Sequence, residues 1–394
     1  MQGRYSTNPA LGPIRNPPLV LELLRHAATS SDATNRIPAH RLEEIDARQF
    51  QWVLQAGLGP LLHRATDSIP QVPTARRSSL RSADLTAQVI HGNLVDTANE
   101  VIDLCHDIGV RVTLLKGISI SDQYYPAPHL RPMGDVDVLV AKHAQKSVES
   151  VMMGRGYQPL RDYQLDEDSI HGVPLLDPQR SVWVEVHTAL FPSRDKFGQS
   201  RSLSPSQLHS GSVASTFHGR QVYRLKPELQ LLYTASFWIR DLSLRGFHAS
   251  FLPPLFDAAY LLTRSNQTLN WDGLLTSLDD DMVTASLYIM LAYLARHCDF
   301  PSTILDCLAS RQNTVRGLEL KLIQFMLDTH LIRGRPFTQL FESWHVWDSL
   351  LSPGSHAAKL LLLPWNILFP PRLENRYSVR YQLERMGRFG RTKG

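Results

Sequence analysis

With 394 residues and 44.6 kDa, the chain is long enough for two or three domains with buried cores. Its 43% hydrophobic and 20% charged content is that of a globular protein and excludes fibrous and disordered classes. The net charge of +4 is unevenly placed: residues 371–394 hold seven basic side chains against two acidic ones, so the first 370 residues sum to −1 and do not describe a basic, nucleic-acid-binding body.

In chain order, residues 17–28 carry Leu19, Leu21, Leu23 and Leu24 in a helical pattern behind Pro17 and Pro18, where proline is tolerated. Further helices are read at 46–55 and 58–66, and the stretch 68–79, with Pro70 and Pro73, as a loop or linker. A long helix spans 85–107, with Val89, Leu94, Ala98, Val101, Ile102 and Cys105 on its apolar side and Gly109 closing it. Strands follow at 110–115, 135–140 and 181–187, with a candidate strand at 157–163 and a helix at 143–154. Val182, Val184 and Val186 alternate strictly with Trp183, Glu185 and His187, the period of a strand. Strands separated by helices make 110–190 an α/β unit. The serine-rich stretch 199–216 reads as a connecting loop, and helices return at 228–239, 254–263, 272–277, 281–297 and 318–331.

No apolar run nears the ~20 residues of a membrane-spanning helix. No hydrophobic segment follows Met1 to suggest a secretory signal. Three cysteines (Cys105, Cys298 and Cys307) without a CxxC exclude a disulfide framework and fit a reducing cytoplasm, the expected compartment.

The sharpest local feature is Arg131-Pro132-Met133-Gly134-Asp135-Val136-Asp137-Val138. On a strand, Asp135 and Asp137 share one face and Val136 and Val138 the other. Two carboxylates so close repel unless a cation lies between them, and hard oxygen donors suit Mg²⁺. An exposed edge strand with two solvated aspartates is the plain alternative. Two further features favour the metal. Glu185 stands on another strand, on the face opposite its valines. Upstream, Leu114-Leu115-Lys116-Gly117-Ile118-Ser119 sets a strand end, a lysine, a glycine and a helix start in succession, which places free backbone N–H groups and an ammonium where a polyphosphate could sit.

Leu114-Leu115-Lys116-Gly117, Tyr125-Pro126, the Arg131–Val140 block and Val184-Glu185-Val186-His187 together resemble the uncharacterised nucleotidyltransferase family of the DNA polymerase β superfamily. The likeness extends to Trp52 and Gly59-Pro60-Leu61-Leu62 before the core, and to Leu255-Phe256-Asp257-Ala258-Ala259 and Asn270-Trp271-Asp272 after it. The resemblance implies an α+β fold: a polymerase-β-like nucleotidyltransferase core of mixed sheet and helices, here 85–216, flanked by an N-terminal helical subdomain (1–84) and a C-terminal helical domain with a basic tail (217–394). It also implies that Asp135, Asp137 and Glu185 hold two Mg²⁺ ions, with Mn²⁺ as a substitute, and that NMP passes from an NTP, ATP first, to an acceptor with release of pyrophosphate. By family position Lys116, Gly117 and Ser119 contact the triphosphate, and Arg131 neutralises it or braces the aspartate loop. The superfamily's Gly-Ser turn reads Gly117-Ile118 here, moving the hydroxyl to Ser119.

His187 and His171 are candidates for orienting a carboxylate or a metal-bound water, with a structural role as the alternative for each. The acidic run 166–168 reads as a solvated loop, and 279–281 as a helix cap. The tail alternates Arg376, Tyr377, Arg380, Tyr381, Arg385, Arg388, Phe389 and Arg391. That pattern suits either stacking on RNA or packing on the body. The acceptor is expected to be a protein, peptide or small-molecule hydroxyl, with RNA and a non-catalytic nucleotide-binding scaffold as the other readings.

Overall fold

The computed structural model describes residues 18–28, 46–66, 72–334 apart from 162, 164–168, 194, 246, 266–267 and 298–301, and residues 350–351. Among the described residues the chain opens with α1 (Leu19–Ala28), α2 (Ala47–Gln55), α3 (Gly59–Thr66) and α4 (Thr74–Asp107). The core follows as β1 (Thr113–Leu114), α5 (Lys116–Tyr124), β2 (Asp135–Leu139), α6 (Gln145–Arg155), β3 (Gln158–Pro159), β4 (Leu175–Asp177) and β5 (Val182–His187). A short α7 (Pro205–Ser210) precedes the hairpin β6 (Ser212–Phe217) and β7 (Arg220–Leu225). Then come α8 (Pro227–Arg245), α9 (Pro253–Ser265), α10 (Trp271–Ser277), α11 (Asp281–Leu294), α12 (Ser302–Arg311) and α13 (Gly317–Met326), the last running into a π-helical turn at Leu327–Ile332.

The strands form one mixed sheet of seven in the order β3-β4-β5-β2-β1-β7-β6. The pairs β2–β5 and β1–β7 are parallel, and the others antiparallel. The fold is therefore α+β, as the sequence implies. One sheet face is apolar: Val136, Val138, Val182, Val184 and Val186 pack against Leu94, Ala98, Val101, Ile102 and Cys105 of α4 in a single buried cluster. The period of two on the strands and the period of 3.6 on α4 meet there, and burying both stripes fixes the sheet on the helix. A second, larger cluster joins α1–α3 to α8–α13, with α11 buried on almost every side at its centre. Among the described residues no helix is long and apolar enough to cross a membrane.

The structure departs from the sequence reading in several places. The long helix begins at Thr74, inside the stretch read as a linker, because Pro73 takes the N-cap, where a missing N–H costs nothing. The serine-rich stretch 199–216 is not a plain loop: it contains a 3₁₀ turn at Arg201–Leu203, α7 and the whole of β6 up to Thr216. The candidate strand at 157–163 shrinks to Gln158–Pro159, while β4, β7 and α12 were not read at all. The acidic run 279–281 behaves as expected, with the Asp280 carboxylate accepting from the backbone N–H groups of Met282 and Val283. The run 166–168, Cys298 and the basic tail lie outside the described residues.

Candidate active site

Strands β2 and β5 lie side by side in parallel, with Asp137 opposite Glu185 and Leu139 opposite His187. Because side chains alternate, the valine register that seals one face carries Asp135, Asp137, Glu185 and His187 to the other. The acids are thus brought together by the same pattern that builds the core.

Asp137 is buried at the centre of this group. Lys116 Nζ lies 2.7 Å from its Oδ1, and His187 Nε2 also lies 2.7 Å from that oxygen. His187 Nε2 is 3.2 Å and Lys116 Nζ 3.9 Å from Glu185 Oε2, which His171 Nε2 approaches at 4.0 Å. The His171 ring stands edge-on to His187, with centroids 5.2 Å apart.

Charge state follows from these neighbours. For Asp137 burial disfavours the carboxylate, but the Lys116 ammonium and the His187 hydrogen bond together hold its carboxyl well below the usual range. Glu185 is lowered in the same way, with burial overcome mainly by His187. His187 is held above its ordinary value: burial opposes its charge, and the two carboxylates outweigh it. Asp135 goes the other way, pushed up to about 7 by the negative charge of Asp137 and then by burial. Three acids on one face therefore ionise fully only when more positive charge arrives than Lys116 and His187 supply.

Lys116 sits at the joint between β1 and α5 with φ 43°, in the left-handed region that a non-glycine residue occupies at a cost of about 1–3 kcal/mol. That backbone turns its side chain back over the sheet, where Nζ meets Asp137 and stands 5.3 Å from the Phe237 ring centroid. Burial works against its charge, yet Asp137 and its neighbours raise it above the normal lysine range. Gly117 follows because no side chain fits: a Cβ there would lie 2.7 Å from Arg131 Nη1 and 3.1 Å from Met133 Cβ.

Arg131 is held by a carboxylate outside this group, although its charge still reaches Asp135 and favours the ionised form there. Its Nε and Nη2 each donate to Asp257 at 2.8 Å, a bidentate pair, and Tyr125 Oη donates to the same carboxylate at 2.8 Å. Of the two roles expected for Arg131, this placement favours bracing the loop before Asp135. Ser119, expected at the triphosphate, is fully buried inside α5. Its Oγ accepts from Gln123 Nε2, and its carbonyl accepts from Arg224.

Sequence reasoning missed the helical wall of the site. Tyr233 of α8 is buried, its hydroxyl has no hydrogen-bond partner among the described residues, and its pKa is pushed above the normal range by burial, Lys116 pulling the other way and Asp137 adding to the rise. Phe237 lies one turn on, under Lys116. Asp257 of α9 supplies the anchor for Arg131. Its signal was an acid set among apolar helical residues, Leu255-Phe256-Asp257-Ala258-Ala259, where only a paired carboxylate is stable.

Asp137, Glu185 and His187 each offer one donor atom, and these atoms all lie within 4.8 Å of one another. Two carboxylate oxygens beside an imidazole nitrogen, in a pocket where the acids outnumber their cations, fit a divalent metal. Asp135, two residues upstream on the same face, stands outside that compact set.

A family profile described as uncharacterised nucleotidyltransferase matches residues 43–299, which include every residue of the site. A solved structure titled an antigenic nucleotidyltransferase-like protein from Paracoccidioides brasiliensis is similar over 55% of this chain and 93% of its own, at 13% identity and a TM-score of 0.35. No curated protein matches. On the strength of the profile, the chain belongs to the uncharacterised nucleotidyltransferase family.

Proposed function

We propose that the protein is a Mg²⁺-dependent nucleotidyltransferase that moves NMP from an NTP, ATP first, to an acceptor hydroxyl on a protein, peptide or small molecule. The observation that carries this reading is the pairing of Asp137 with Glu185 across adjacent strands, with Lys116 from the neighbouring strand–helix joint set against them. In the reaction the acceptor oxygen forms a bond to the α-phosphorus, the bond to the β-phosphate oxygen breaks, and pyrophosphate leaves. Divalent ions bound at such a site neutralise the triphosphate and lower the pKa of the attacking hydroxyl.

The chain's own groups divide the work. Asp137 and Glu185, both held ionised, are the anchors for cations, and Asp135 joins them as positive charge accumulates. Lys116 neutralises Asp137 until a stronger cation displaces it, and its ammonium is then free to pair with phosphate oxygens close by. Gly117 lets Arg131 and Met133 pack against the turn that presents Lys116. Arg131 and Asp257 hold that turn in place. His171 borders Glu185 and orients it. A nearly neutral body offers no electrostatic track for a polynucleotide, which favours a protein, peptide or small acceptor over RNA. A cytoplasmic setting fits the cysteine usage.

The test is thermal unfolding with Mg²⁺ and ATP added separately and together. The expected result is a larger rise in melting temperature for the pair than for the sum of the two alone, lost in Asp137→Ala. An Asp137→Ala protein that keeps the same Mg²⁺-linked rise overturns the site assignment.

A further inference from the structure

We propose that His187 is itself a metal ligand, so that the centre is a two-carboxylate, one-imidazole site that prefers Mn²⁺ and similar transition ions over Mg²⁺. The proposal rests on the reading above in taking Asp137 and Glu185 as metal-binding, and extends it to the choice of ion.

The geometry of the three donors carries it. Two ligand atoms in neighbouring positions on a hexacoordinate ion, each at ~2.1 Å, lie ~3.0 Å apart. His187 Nε2 stands 2.7 Å from Asp137 Oδ1 and 3.2 Å from Glu185 Oε2, on either side of that value. Among the described residues this is the one group of three such side chains close enough to share an ion. Asp135, the residue that composition and spacing pair with Asp137, is not part of it.

The ring meets the site through one nitrogen only. His187 is fully buried, and its Nδ1 has no hydrogen-bond partner among the described residues. The imidazole therefore has no polar contact except through Nε2, which faces the two carboxylates. Asp137 also has a cation in Lys116 at 2.7 Å. An ion held here would take the Nε2 lone pair of a neutral ring that keeps its one proton on Nδ1, any second proton passing to solvent. The register explains how the residue arrives there. His187 is two residues beyond Glu185 on β5, so it shares the acidic face, and it reaches back toward Asp137 on β2.

Ion preference follows from donor chemistry. Carboxylate oxygens serve Mg²⁺ and Mn²⁺ alike, whereas an imidazole nitrogen favours the transition ion. A site of oxygens alone would not separate the two in this way.

The experiment uses the full chain without nucleotide and with Mn²⁺ or Mg²⁺ as the probe. Mn²⁺ affinity is measured by electron paramagnetic resonance titration and Mg²⁺ affinity by competition, for the wild type, His187→Gln and Asp137→Ala. Pulsed spectra of the bound Mn²⁺ then report directly whether a histidine nitrogen is coordinated, a readout that needs no variant. The expected result is a preference for Mn²⁺ of about tenfold or more in the wild type, together with a coordinated-nitrogen signal. In His187→Gln, whose amide oxygen is a hard donor, the nitrogen signal disappears and the preference narrows to about threefold or less. A wild-type spectrum without that nitrogen signal overturns the proposal, as does a preference unchanged in His187→Gln. If the nitrogen is absent but Asp137→Ala still abolishes binding, the His187 assignment alone fails. If Asp137→Ala leaves Mn²⁺ binding intact, the metal-centre reading fails with it.

Discussion

Removing Asp257 tests how the helical layer holds the active-site turn. Its carboxylate is 2% exposed and accepts three hydrogen bonds at 2.8 Å, two from Arg131 and one from Tyr125. Asp257→Ala leaves the Arg131 guanidinium in a largely buried place without its hydrogen-bonded carboxylate. Breaking a buried pair by deleting one partner costs about 3–5 kcal/mol, most of it the penalty of the orphaned ion. At roughly 2 °C per kcal/mol for a large domain, the melting temperature should fall by about 6–10 °C. The damage should also reach the chemistry, because Arg131 Nη1 lies against Gly117, whose turn presents Lys116. Urea unfolding of the wild type, Asp257→Ala and the double variant Arg131→Met/Asp257→Leu is the assay. The apolar pair should recover most of the lost stability, since neither charge is then stranded, but not the activity. An Asp257→Ala protein within about 1 kcal/mol of the wild type refutes the account, because an orphaned buried ion cannot cost so little.

Two further outcomes follow from the same structure. Gly117→Ala places a Cβ 2.7 Å from an Arg131 nitrogen that Asp257 holds in place, so it should cost about 1–3 kcal/mol by overpacking; an unchanged urea midpoint would show that the turn yields freely. Asp177 is lowered below the usual carboxylate range, burial opposing and Arg180, Thr97 and the backbone N–H groups of Gln179 and Arg180 prevailing. A carboxyl lowered by folding stabilises above its unfolded value near 4 and loses that stabilisation as pH falls through the folded one. The melting temperature of the wild type should therefore drop below pH ~4 more steeply than that of Asp177→Asn, and parallel curves would remove Asp177 from the acid response.

What could be read from the residues was the part governed by alternation. Valines at every second position of β2 and β5 placed Asp135, Asp137 and Glu185 on one face without knowledge of the pairing. The long apolar stripe of α4 was equally plain from Leu94 to Cys105. The sheet's other edge was hidden because its alternation is broken by a buried charge. Arg224 of β7 points inward at 1% exposure, where its two terminal nitrogens donate to Asp122, the Ser119 carbonyl and the Thr216 carbonyl. A strand that buries an arginine and exposes Val213 on its partner does not look amphipathic. β1 and β3 are two residues each, too short for any period to appear. The roles of Arg131 and Asp257 needed three dimensions, since 126 residues separate the partners. So did the move of His187 from beside Glu185 to within 2.7 Å of Asp137, which depends on the β2–β5 register.

The reaction proposed for this acidic face is attack at the α-phosphate of a nucleoside triphosphate. The most direct measurement incubates the protein with cell lysate and divalent ions, using ATP, GTP, CTP or UTP labelled in parallel at the α- and γ-phosphates. The account predicts that α-label enters an acceptor, that γ-label is released as pyrophosphate, and that Asp137→Ala abolishes both. Transfer of γ-label to the acceptor, or α-label transfer that survives in Asp137→Ala, would contradict it.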